Sequence, residues 1–436
     1  MKVHFIGIGG IGLSALARFL KYNGHEVSGS DMKETTITNE LKSEGITVYS
    51  PQSAQNIKNP DIVIYSAAVT DENPELIESR IKQIKTLSRK EALPIILGDK
   101  KNYCVAGAHG KSTTTAILAS IMNSSAIIGA ISKDFGSNFR YINDLVAFEA
   151  DESDASFILS NPYCSIVTNA EPEHMEYYNY DYEKFYDSYK TFIALGKYKV
   201  INAEDEHIKK LDIKEATKLY PSIDIKNISY ILKDDEPFTK FELKDLGYFE
   251  VWGFGYHIAV NTSLAILAAL NELDVEEIRV NLKNYKGIKK RFDILQKCDK
   301  FVLVDDYAHH PTEIEATIKS VELYDNLKNL KKRVIIWQPH KYSRTYDNLE
   351  GFKKCFKGCD ELVILPLWTI PGEHILEIDF EKEFKQYNPI FAQKVLAREC
   401  KLDIIKDNKV VKTYDEGIIV GVGAGDITYQ LREIVN

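Results

Sequence analysis

The chain has 436 residues, enough for about two to four domains with separate cores, which excludes a single small module. Its 44% hydrophobic and 27% charged content is typical of a folded globular protein and excludes a disordered or fibrous chain. The 55 Lys and Arg against 64 Asp and Glu give a formal net charge of −9, and no predicted element collects the basic residues. We therefore expect no nucleic-acid partner.

The cysteines and the N-terminal segment point to a cytoplasmic location. The six cysteines are scattered, with no CxxC pair, so we expect all of them to be reduced thiols, mostly in the core. The apolar start has regularly placed glycines and no small-residue cleavage signal, which argues against a secretory leader. No stretch reaches about 18 uninterrupted apolar residues, so no membrane insertion is expected.

Short apolar runs alternate with helical patterns along the chain, which predicts an α/β protein with parallel sheets. The pattern divides into three units, with boundaries near residues 98 and 290. A polar stretch at 204–248 indicates hairpin-like decoration on the middle unit. The predicted strands of the first two units are 3–8, 25–30 and 61–66, then 103–106, 145–149 and 164–168. Those of the third unit are 301–306, RVIIWQ, ELVILPL and the final GIIVGVG.

A glycine-rich segment, GIGGIGLS, follows the first predicted strand and precedes a helix. Gly7, Gly9, Gly10 and Gly12 let the chain turn tightly and let a diphosphate approach the helix N-terminus. Such segments usually bind a dinucleotide, and Asp31 after the next strand could bind a ribose hydroxyl as in NAD enzymes. Glycines that serve only strand-to-helix packing are the alternative.

A second phosphate-binding segment, GAHGKST, follows the strand at 103–106. Backbone amides of such a loop cradle phosphates, the Lys111 ammonium offsets their charge, and the Ser112 hydroxyl can bind Mg²⁺. Val105 stands where the GxxxxGK[ST] pattern has its first glycine. The strand before the loop and the Thr-rich helix start after it favour phosphate binding over a purely structural turn.

Two acidic segments, EADESD at 149–154 and EPEHM at 171–175, follow strands of the same unit. A run of carboxylates by itself is usually a solvated loop. At strand ends beside a phosphate loop, the same groups favour Mg²⁺, which takes one or two protein ligands plus phosphates. Glu149 and His174 are the metal candidates.

Two further candidate sites are an apolar helix that contains Asn261 and the junction between the second and third units. The polar residues of each have two interpretations. His257 and Asn261 lie four residues apart on one face of an apolar helix, where a core role and recognition of an adenine edge are equally open. Arg291 lies at the joint between the second and third units. It is either a surface residue or a charge for a transferred phosphoryl group.

Two segments of the third unit also follow strands. DDYAHHPTEI carries Asp306 and His309, and its adjacent histidines have a spacing that zinc sites seldom use. QPHKYSRT presents His340 and Arg344 after a strand, where basic side chains suit an anionic substrate.

These motifs occur in order over nearly the whole chain: GIGGIGLS, GAHGKSTTT, EADESD, TNAEPEHM, the helix with Asn261, DDYAHHPTEI, QPHKYSRT and GAGDI. Together they resemble the Mur ligase family. The resemblance implies a Rossmann-like domain for a UDP-linked substrate at 1–97 and a central P-loop ATPase-type α/β domain at 98–290. It also implies a C-terminal Rossmann-like domain at 291–436 that closes on ATP and binds an amino acid.

The resemblance also implies site residues, with Lys111, His174 and Arg291 catalytic. The UDP-linked substrate would bind Gly9, Gly10, Gly12, Ser14, Asp31 and Ser66. ATP would bind Gly107, Ala108, His109, Gly110, Lys111, Ser112, Thr113, Asn261, Arg291, Asp306 and His309. Mg²⁺, expected as two ions, would bind Ser112, Glu149 and His174, and the amino acid would bind His340, Tyr342 and Arg344.

The implied reaction joins L-alanine to UDP-N-acetylmuramate in peptidoglycan precursor synthesis, and so serves cell-wall growth, shape and division. The lactyl carboxylate would attack the γ-phosphorus of ATP to give an acyl phosphate, which the amine of L-alanine would convert to an amide. Alternatives are a recycling ligase that adds a whole peptide, a nicotinamide-dependent oxidoreductase, and a nucleotide-binding regulatory protein without turnover.

The chain departs from the family pattern at several positions. Ser112 replaces a usual threonine and keeps the hydroxyl. Ile258 replaces an asparagine of the adenine helix, and Lys290 replaces the first arginine of a pair, which loses a bidentate fork. Tyr189 lies where several relatives carry a carbamylated lysine, so we expect no carbamate.

Overall fold

The computed structural model describes residues 1–370 and 372–433, and the chain forms two compact units. The first unit comprises Met1–Lys226, Glu242–Gly247 and Val260–Lys286. The second comprises Asn227–Phe241, Tyr248–Ala259 and the described chain from Gly287 onward. The predicted third domain ends at residue 436, and its last residues, 434–436, lie outside the described residues. Within the described chain, no helix has both the length and the apolar content needed to cross a bilayer.

The first sheet of the first unit is parallel and has the order β3-β2-β1-β4-β5. Its strands are β1 Lys2–Ile6, β2 Glu26–Ser30, β3 Thr47–Tyr49, β4 Ile62–Tyr65 and β5 Lys85–Ser88. The helices between them are α1 Ile11–Tyr22, α2 Thr36–Ser43, α3 Pro74–Ile81 and α4 Arg89–Leu97. The strand order reverses at β1, so the carboxyl ends of β1 and β4 flank a crevice of the kind that binds ligands in open α/β sheets.

The second sheet of the first unit has the order β12-β11-β10-β6-β9-β7-β8, and β8 is its antiparallel edge strand. Its strands are β6 Lys101–Ala106, β7 Ser125–Ile127, β8 Phe139–Arg140, β9 Leu145–Glu149, β10 Cys164–Val167, β11 Tyr198–Asn202 and β12 Thr217–Leu219. Helix α5 spans Lys111–Met122, α6 spans Tyr182–Leu195 and α7 spans Pro221–Asp224. β6 is central and buried apart from its first residue, so the loop that follows β6 starts from a rigid strand.

A three-stranded meander follows, with β13 Ile225–Lys233, β14 Glu236–Leu243 and β15 Tyr248–Trp252. Alternate residues of β14 are buried, as expected for a sheet with one covered face. Of the stretch 204–248 that the sequence predicted as decoration of the middle unit, residues 227–241 belong to the second compact unit, whereas 204–226 and 242–247 belong to the first. The physical reason is that Tyr230 and Leu232 of β13 pack against the apolar core that contains Val302 and Ile318. Helices α8 Tyr256–Ala269 and α9 Val275–Leu282 complete this part of the chain.

The main sheet of the second unit has the order β16-β17-β24-β18-β19-β20, parallel except for β16. A separate antiparallel sheet contains β21, β22 and β23. The strands are β16 Asp293–Lys297, β17 Phe301–Asp306, β18 Arg333–Trp337, β19 Glu361–Ile364, β20 Ile390–Phe391, β21 Lys394–Arg398, β22 Lys401–Lys406, β23 Lys409–Tyr414 and β24 Gly417–Val422. The helices are α10 Pro311–Lys328, α11 Tyr342–Asp347, α12 Leu349–Cys355, α13 Phe380–Glu383 and α14 Ile427–Arg432.

The second unit also contains a disulfide bond between Cys298 and Cys400, whose Cα atoms are 6.1 Å apart. The expectation that all six cysteines are reduced thiols is therefore wrong for this pair. Cys298 follows β16 and Cys400 lies in the turn between β21 and β22, 102 residues further on. The backbone amide of Cys400 donates to Gln296 Oε1 of β16 at 2.8 Å, which helps to hold the turn in place. The other four cysteines are free.

Candidate active site

The phosphate loop, residues 107–110, joins the buried strand β6 to the N-terminus of α5. A Cβ on Gly107, which has a φ of +140°, would lie 2.1 Å from Thr168 Oγ1, so this position requires glycine. Gly110 is the N-cap of α5, with a φ of +82° and no side chain to cap the helix. The first-turn amides of α5 are therefore not bonded to a capping side chain, and a helix N-terminus of this kind favours an anion.

The Lys111 side chain lies over the phosphate loop. Its Nζ donates to the carbonyl oxygens of Gly107 and Ala108, and to Glu152 Oε1 at 2.9 Å. Burial lowers the Lys111 pKa, but the nearby carboxylates, Glu152 first, outweigh burial and raise it above its ordinary value. The ammonium is therefore charged at neutral pH. Burial dominates for Glu152, which is 2% exposed, and raises its pKa to about 6 although Lys111 opposes the shift.

Ser112 and Glu149 bring two oxygen ligands together at the start of α5. Ser112 Oγ donates to Glu149 Oε1 at 2.8 Å, and the Gly129 amide donates to Glu149 Oε2 at 2.7 Å. Glu149 is the last residue of β9, which pairs with β6, so the sheet itself fixes this approach. A Cβ on residue 129 would lie 3.0 Å from Glu149 Oε1, so glycine leaves room there. A hydroxyl and a carboxylate side by side fit Mg²⁺, which prefers oxygen ligands.

His174 is the one metal candidate that the structure does not bring to this pair by a contact. The residue is exposed, has a φ of +52°, and its ring makes no hydrogen bond or ion pair within the described chain. The phosphate-loop residue His109 pairs instead with Glu171, with 3.1 Å between Nε2 and Oε2. The assignment of His174 to a metal stays a prediction.

Asn261 of α8 lies close to Gly110, and Thr113 belongs to the first turn of α5. Asn261 is 7% exposed, and a Cβ on Gly110 would lie 2.7 Å from its Oδ1 atom. The amide of Asn261 thus packs directly on the phosphate loop. Thr113 is half-buried in the first turn of α5. On the other side of the loop, the His109 amide donates to Asn169 Oδ1 at 3.0 Å.

The glycine segment after β1 gathers the predicted UDP-binding residues at the carboxyl ends of β1, β2 and β4. The Gly9 amide donates to Asp31 Oδ2 at 2.9 Å. A Cβ on Gly7 would lie 3.1 Å from the Cβ of Ser66, so the segment packs closely on the residue that follows β4. Gly10 is the N-cap of α1, again with no capping side chain. This arrangement leaves the first turn of α1 open to a diphosphate.

Ser14, one turn into α1, is fully buried and hydrogen-bonded within the protein. Its Oγ donates to the Ile11 carbonyl oxygen at 3.0 Å and accepts from Asn138 Nδ2 at 3.2 Å. Asn138 also accepts from Arg18 Nη1 at 2.7 Å and donates to the Ile11 carbonyl oxygen. Asn138 immediately precedes β8 of the second sheet, so it ties α1 to the sheet that carries the phosphate loop. Sequence reasoning missed Asn138 and Arg18.

A cavity of about 180 Å³ in the first unit is lined by Gly12, in the first turn of α1, and by Lys111, in the first turn of α5. Its polar lining comes from Arg89 and Lys111 and from the carboxylates Glu149 and Asp151. Arg89 Nη2 lies 2.8 Å from Asp151 Oδ2 and 3.5 Å from Asp154 Oδ2. Sequence reasoning missed Arg89, although the capping-box pattern SRKE at 88–91 was a signal for a helix that starts there. The complete lining is Gly12, Leu16, Arg89, Leu93, Lys111, Ile127, Ile128, Gly129, Phe148, Glu149, Asp151 and Ser156.

The predicted γ-phosphate and ribose residues lie in the second unit and share partners there. Arg291 Nη1 lies 3.2 Å from Glu313 Oε1, and the His309 amide donates to Glu313 Oε2 at 3.0 Å. Asp306 is buried, and its carboxylate accepts from the amides of Phe292 and Ala308 at 3.1 and 3.0 Å. Burial raises the Asp306 pKa to about 6, although the Arg291 charge opposes the shift.

The predicted amino-acid residues also lie in the second unit, after β18. His340 Nδ1 lies 3.0 Å from Arg344 Nη1, and Tyr342 is the first residue of α11. Burial, and then the Arg344 charge, lower the His340 pKa to about 4. The imidazole is therefore neutral at pH 7, and Nδ1 accepts the hydrogen bond from Arg344. His257 lies in the same unit and is exposed.

Comparisons with known proteins agree with this arrangement. Residues 2–101 match the family model "Mur ligase family, catalytic domain", and residues 290–402 match "Mur ligase, glutamate ligase domain". The chain is 55% identical over 432 residues, 99% of each protein, to a UDP-N-acetylmuramate–L-alanine ligase of Campylobacter curvus. The structure of a UDP-N-acetylmuramate-alanine ligase of Thermotoga maritima is similar, with a TM-score of 0.78, 26% identity and coverage of 99% and 97% of the two chains.

A murein peptide ligase of Psychrobacter arcticus covers the whole length of both chains with a TM-score of 0.64. Its identity of 19% shows a shared fold alone. The family resemblance and the α/β fold predicted from the motifs are both confirmed. The full-length identity of 55% to a curated member decides the matter: the chain belongs to the Mur ligase family.

Proposed function

We propose that this ligase joins L-alanine to the lactyl carboxylate of UDP-N-acetylmuramate, with cleavage of ATP to ADP and phosphate. The observation that carries the proposal is a cavity lined both by Gly12 of the segment GIGGIGLS, which we call the diphosphate loop, and by Lys111 and Glu149 beside the phosphate loop. A sugar nucleotide held at one loop can present its acid at the other. The 55% identity to a relative named for this reaction supports the same substrates. We place the reaction in the cytoplasm, in peptidoglycan precursor synthesis.

In the first step the carboxylate attacks the γ-phosphorus of ATP, forms an acyl phosphate and releases ADP. The first-turn amides of α5 and the Lys111 ammonium bind the phosphates and offset the charge of the transferring group. Lys111 must exchange its bonds to the loop carbonyl oxygens for bonds to phosphate, while Glu152 keeps the ammonium charged. Arg291 supplies a further positive charge.

Mg²⁺, when bound, would neutralise phosphate charge as a Lewis acid. Ser112 and Glu149 are the residues that would hold it, because their oxygen atoms already lie 2.8 Å apart. His174 is a further candidate from the sequence. Asn261 would bind the adenine, and Asp306 and His309 the ribose.

In the second step the neutral amine of L-alanine attacks the acyl carbon, and phosphate leaves from the tetrahedral intermediate. Arg344 would bind the carboxylate of L-alanine, because a guanidinium pairs with a carboxylate in a bidentate way. His340 orients Arg344 through the 3.0 Å hydrogen bond between them. Tyr342 completes the candidate amino-acid site.

The test is phosphate release with ATP, Mg²⁺, UDP-N-acetylmuramate and L-alanine, each omitted in turn. The proposal requires that release depend on all four components. Replacement of L-alanine by a tripeptide tests the recycling-ligase alternative, and faster release with the tripeptide would overturn the choice of L-alanine. Binding of NADH would favour an oxidoreductase, for which the phosphate loop has no use.

A further inference from the structure

Arg89 is a second cation in the cavity, besides Lys111, and the start of α4 fixes its position. Arg89 is the first residue of α4 and directly follows β5. Ser88 is the N-cap: its Oγ accepts from the Glu91 amide, and Glu91 Oε2 accepts from the Ser88 amide at 2.8 Å. This reciprocal capping box holds the backbone at Arg89 and aims the side chain from a rigid point.

The two terminal nitrogens of Arg89 face different groups. Nη2 donates to Asp151 at 2.8 Å, whereas Nη1 has no hydrogen-bond partner within the described chain. Nη1 lies 3.5 Å from the position of a Cβ on Gly12, at the diphosphate loop. The other carboxylate oxygen of Asp151, Oδ1, accepts from the Ser153 amide at 3.0 Å. Asp151 therefore anchors one side of a guanidinium whose other side is available to a ligand.

The rest of the cavity suits a small acid with an apolar substituent. Its walls include Leu16, Leu93, Ile127 and Phe148. Among the lining residues the cations are Arg89 and Lys111, and Lys111 is engaged by Glu152 and, in the proposed function, by ATP. An acid that extends from the diphosphate loop toward Lys111 would therefore meet Arg89 Nη1.

We propose that Arg89 binds the lactyl carboxylate of UDP-N-acetylmuramate and so selects a sugar nucleotide that carries an acid. This inference rests on the proposed function and adds to it the residue that binds the carboxylate of the substrate. Nη1 donates to the carboxylate, Asp151 positions the guanidinium, and the apolar walls contact the lactyl methyl group. Arg89 orients the nucleophilic carboxylate beside the phosphate loop. It forms and breaks no covalent bond.

The experiment measures affinities by calorimetry in the absence of ATP. The ligands are UDP, UDP-N-acetylglucosamine, which lacks the lactyl group, and UDP-N-acetylmuramate. In Arg89→Met we expect the affinity for UDP-N-acetylmuramate to fall about tenfold to a hundredfold, the range for loss of a charge-assisted hydrogen bond. The affinities for the other two ligands should stay within about twofold. Arg89→Lys should recover part of the loss, because it keeps the charge without the fork.

Lys90→Met is the matched control. It makes the same charge change one residue away, but Lys90 Nζ contacts Tyr177 and does not line the cavity. We expect all three affinities to stay unchanged in this variant. A second variant, Arg89→Met with Asp151→Asn, avoids leaving the half-buried Asp151 carboxylate without its cation, and it should show the same selective loss.

Two outcomes would overturn the inference. If Arg89→Met lowered the affinities for all three ligands equally, Arg89 would bind the diphosphate and not the lactyl carboxylate. If it lowered none of them, the ion pair of Arg89 with Asp151 would have only a structural role. Phosphate release by the unmodified protein is measured separately. If that release requires UDP-N-acetylmuramate and L-alanine while Arg89→Met still binds UDP-N-acetylmuramate as selectively as the unmodified protein does, the assignment of Arg89 fails and the proposed function stands.

Discussion

Glu152 is buried beside Lys111, where one carboxylate oxygen accepts from the ammonium at 2.9 Å. The other oxygen, Oε2, has no hydrogen bond within the described chain. Because only one oxygen is hydrogen-bonded in the described part of the chain, the effect of burial on the Glu152 pKa exceeds the opposing effect of Lys111. The Glu152 pKa is therefore raised from 4.5 to about 6. The same carboxylate is the first cause that keeps Lys111 charged. The Lys111 ammonium thus stays charged although it is largely buried, whereas the Glu152 carboxylate beside it becomes easier to protonate.

The raised Glu152 pKa predicts how stability depends on pH. Between pH 4.5 and about 6 the folded state holds a proton that the unfolded chain has released, so the free energy of unfolding falls as pH rises. A rise in the Glu152 pKa from 4.5 to about 6 corresponds to about 2 kcal/mol of stability. In Glu152→Gln this part of the slope should be absent. Urea unfolding at several pH values checks it, and an unchanged slope would contradict the origin in Glu152.

The candidate site residues differ in how far the sequence could predict them. Lys111, Ser112 and Glu149 lie in motifs at strand ends, and the structure brings these three together. Arg89 lies in a capping-box pattern, which indicates the start of a helix but not a binding site. Its partner Asp151 is 62 residues away in sequence, so only the folded chain shows that the two meet.

At the scale of elements, the phosphate loop depends on the absence of a side chain at Gly110. Gly110→Ala would place a Cβ 2.7 Å from Asn261 Oδ1 at a φ of +82°. We expect weaker ATP binding, by about tenfold or more, because Asn261 and the first turn of α5 must shift. Titration with a non-hydrolysable ATP analogue measures this effect.

Gly24→Ala is the control for the loop variant. Gly24 has the same φ of +82°, but nothing lies within 4 Å of its Cβ position. Both variants should lose about 1–2 kcal/mol of stability from the left-handed backbone. Only Gly110→Ala should weaken ATP binding. Equal ATP affinity in the two variants would contradict the close packing of Asn261 on the loop.

Helix α1 is held to the second sheet through Asn138, which is fully buried. Asn138→Ala would remove a hydrogen bond to Arg18, a side chain with 2% exposure, and the bonds to the first turn of α1. We expect the free energy of unfolding to fall by about 1–3 kcal/mol, the cost of leaving buried polar groups without partners. Urea unfolding measures it. The exposed Asn143→Ala should change stability far less, and a similar loss in both would contradict the role of burial.

At the scale of the whole molecule, the disulfide between Cys298 and Cys400 closes a long segment of the second unit. The two residues are 102 apart in sequence, so the cross-link restricts the unfolded chain. Without reductant, Cys298→Ser should lose about 2–4 kcal/mol of stability, and with reductant it should match the unmodified protein. Cys359→Ser, which changes a free thiol, is the control.

Thiol titration of the denatured chain checks the same bond directly. We expect four reactive thiols before reduction and six after it. Six thiols before reduction would contradict the bond.

The sequence by itself determined the α/β class, the family and the two glycine loops. Those features depend on local patterns: strand and helix periodicity, and glycines placed between a strand and a helix. Tertiary structure decided the contacts between distant segments: the meander that packs on the second unit, the Cys298–Cys400 bond, and the pairs of Arg18 with Asn138 and Arg89 with Asp151. These contacts join residues at least 62 apart, or faces whose partner no local pattern specifies, so they exist only once the sheets have formed.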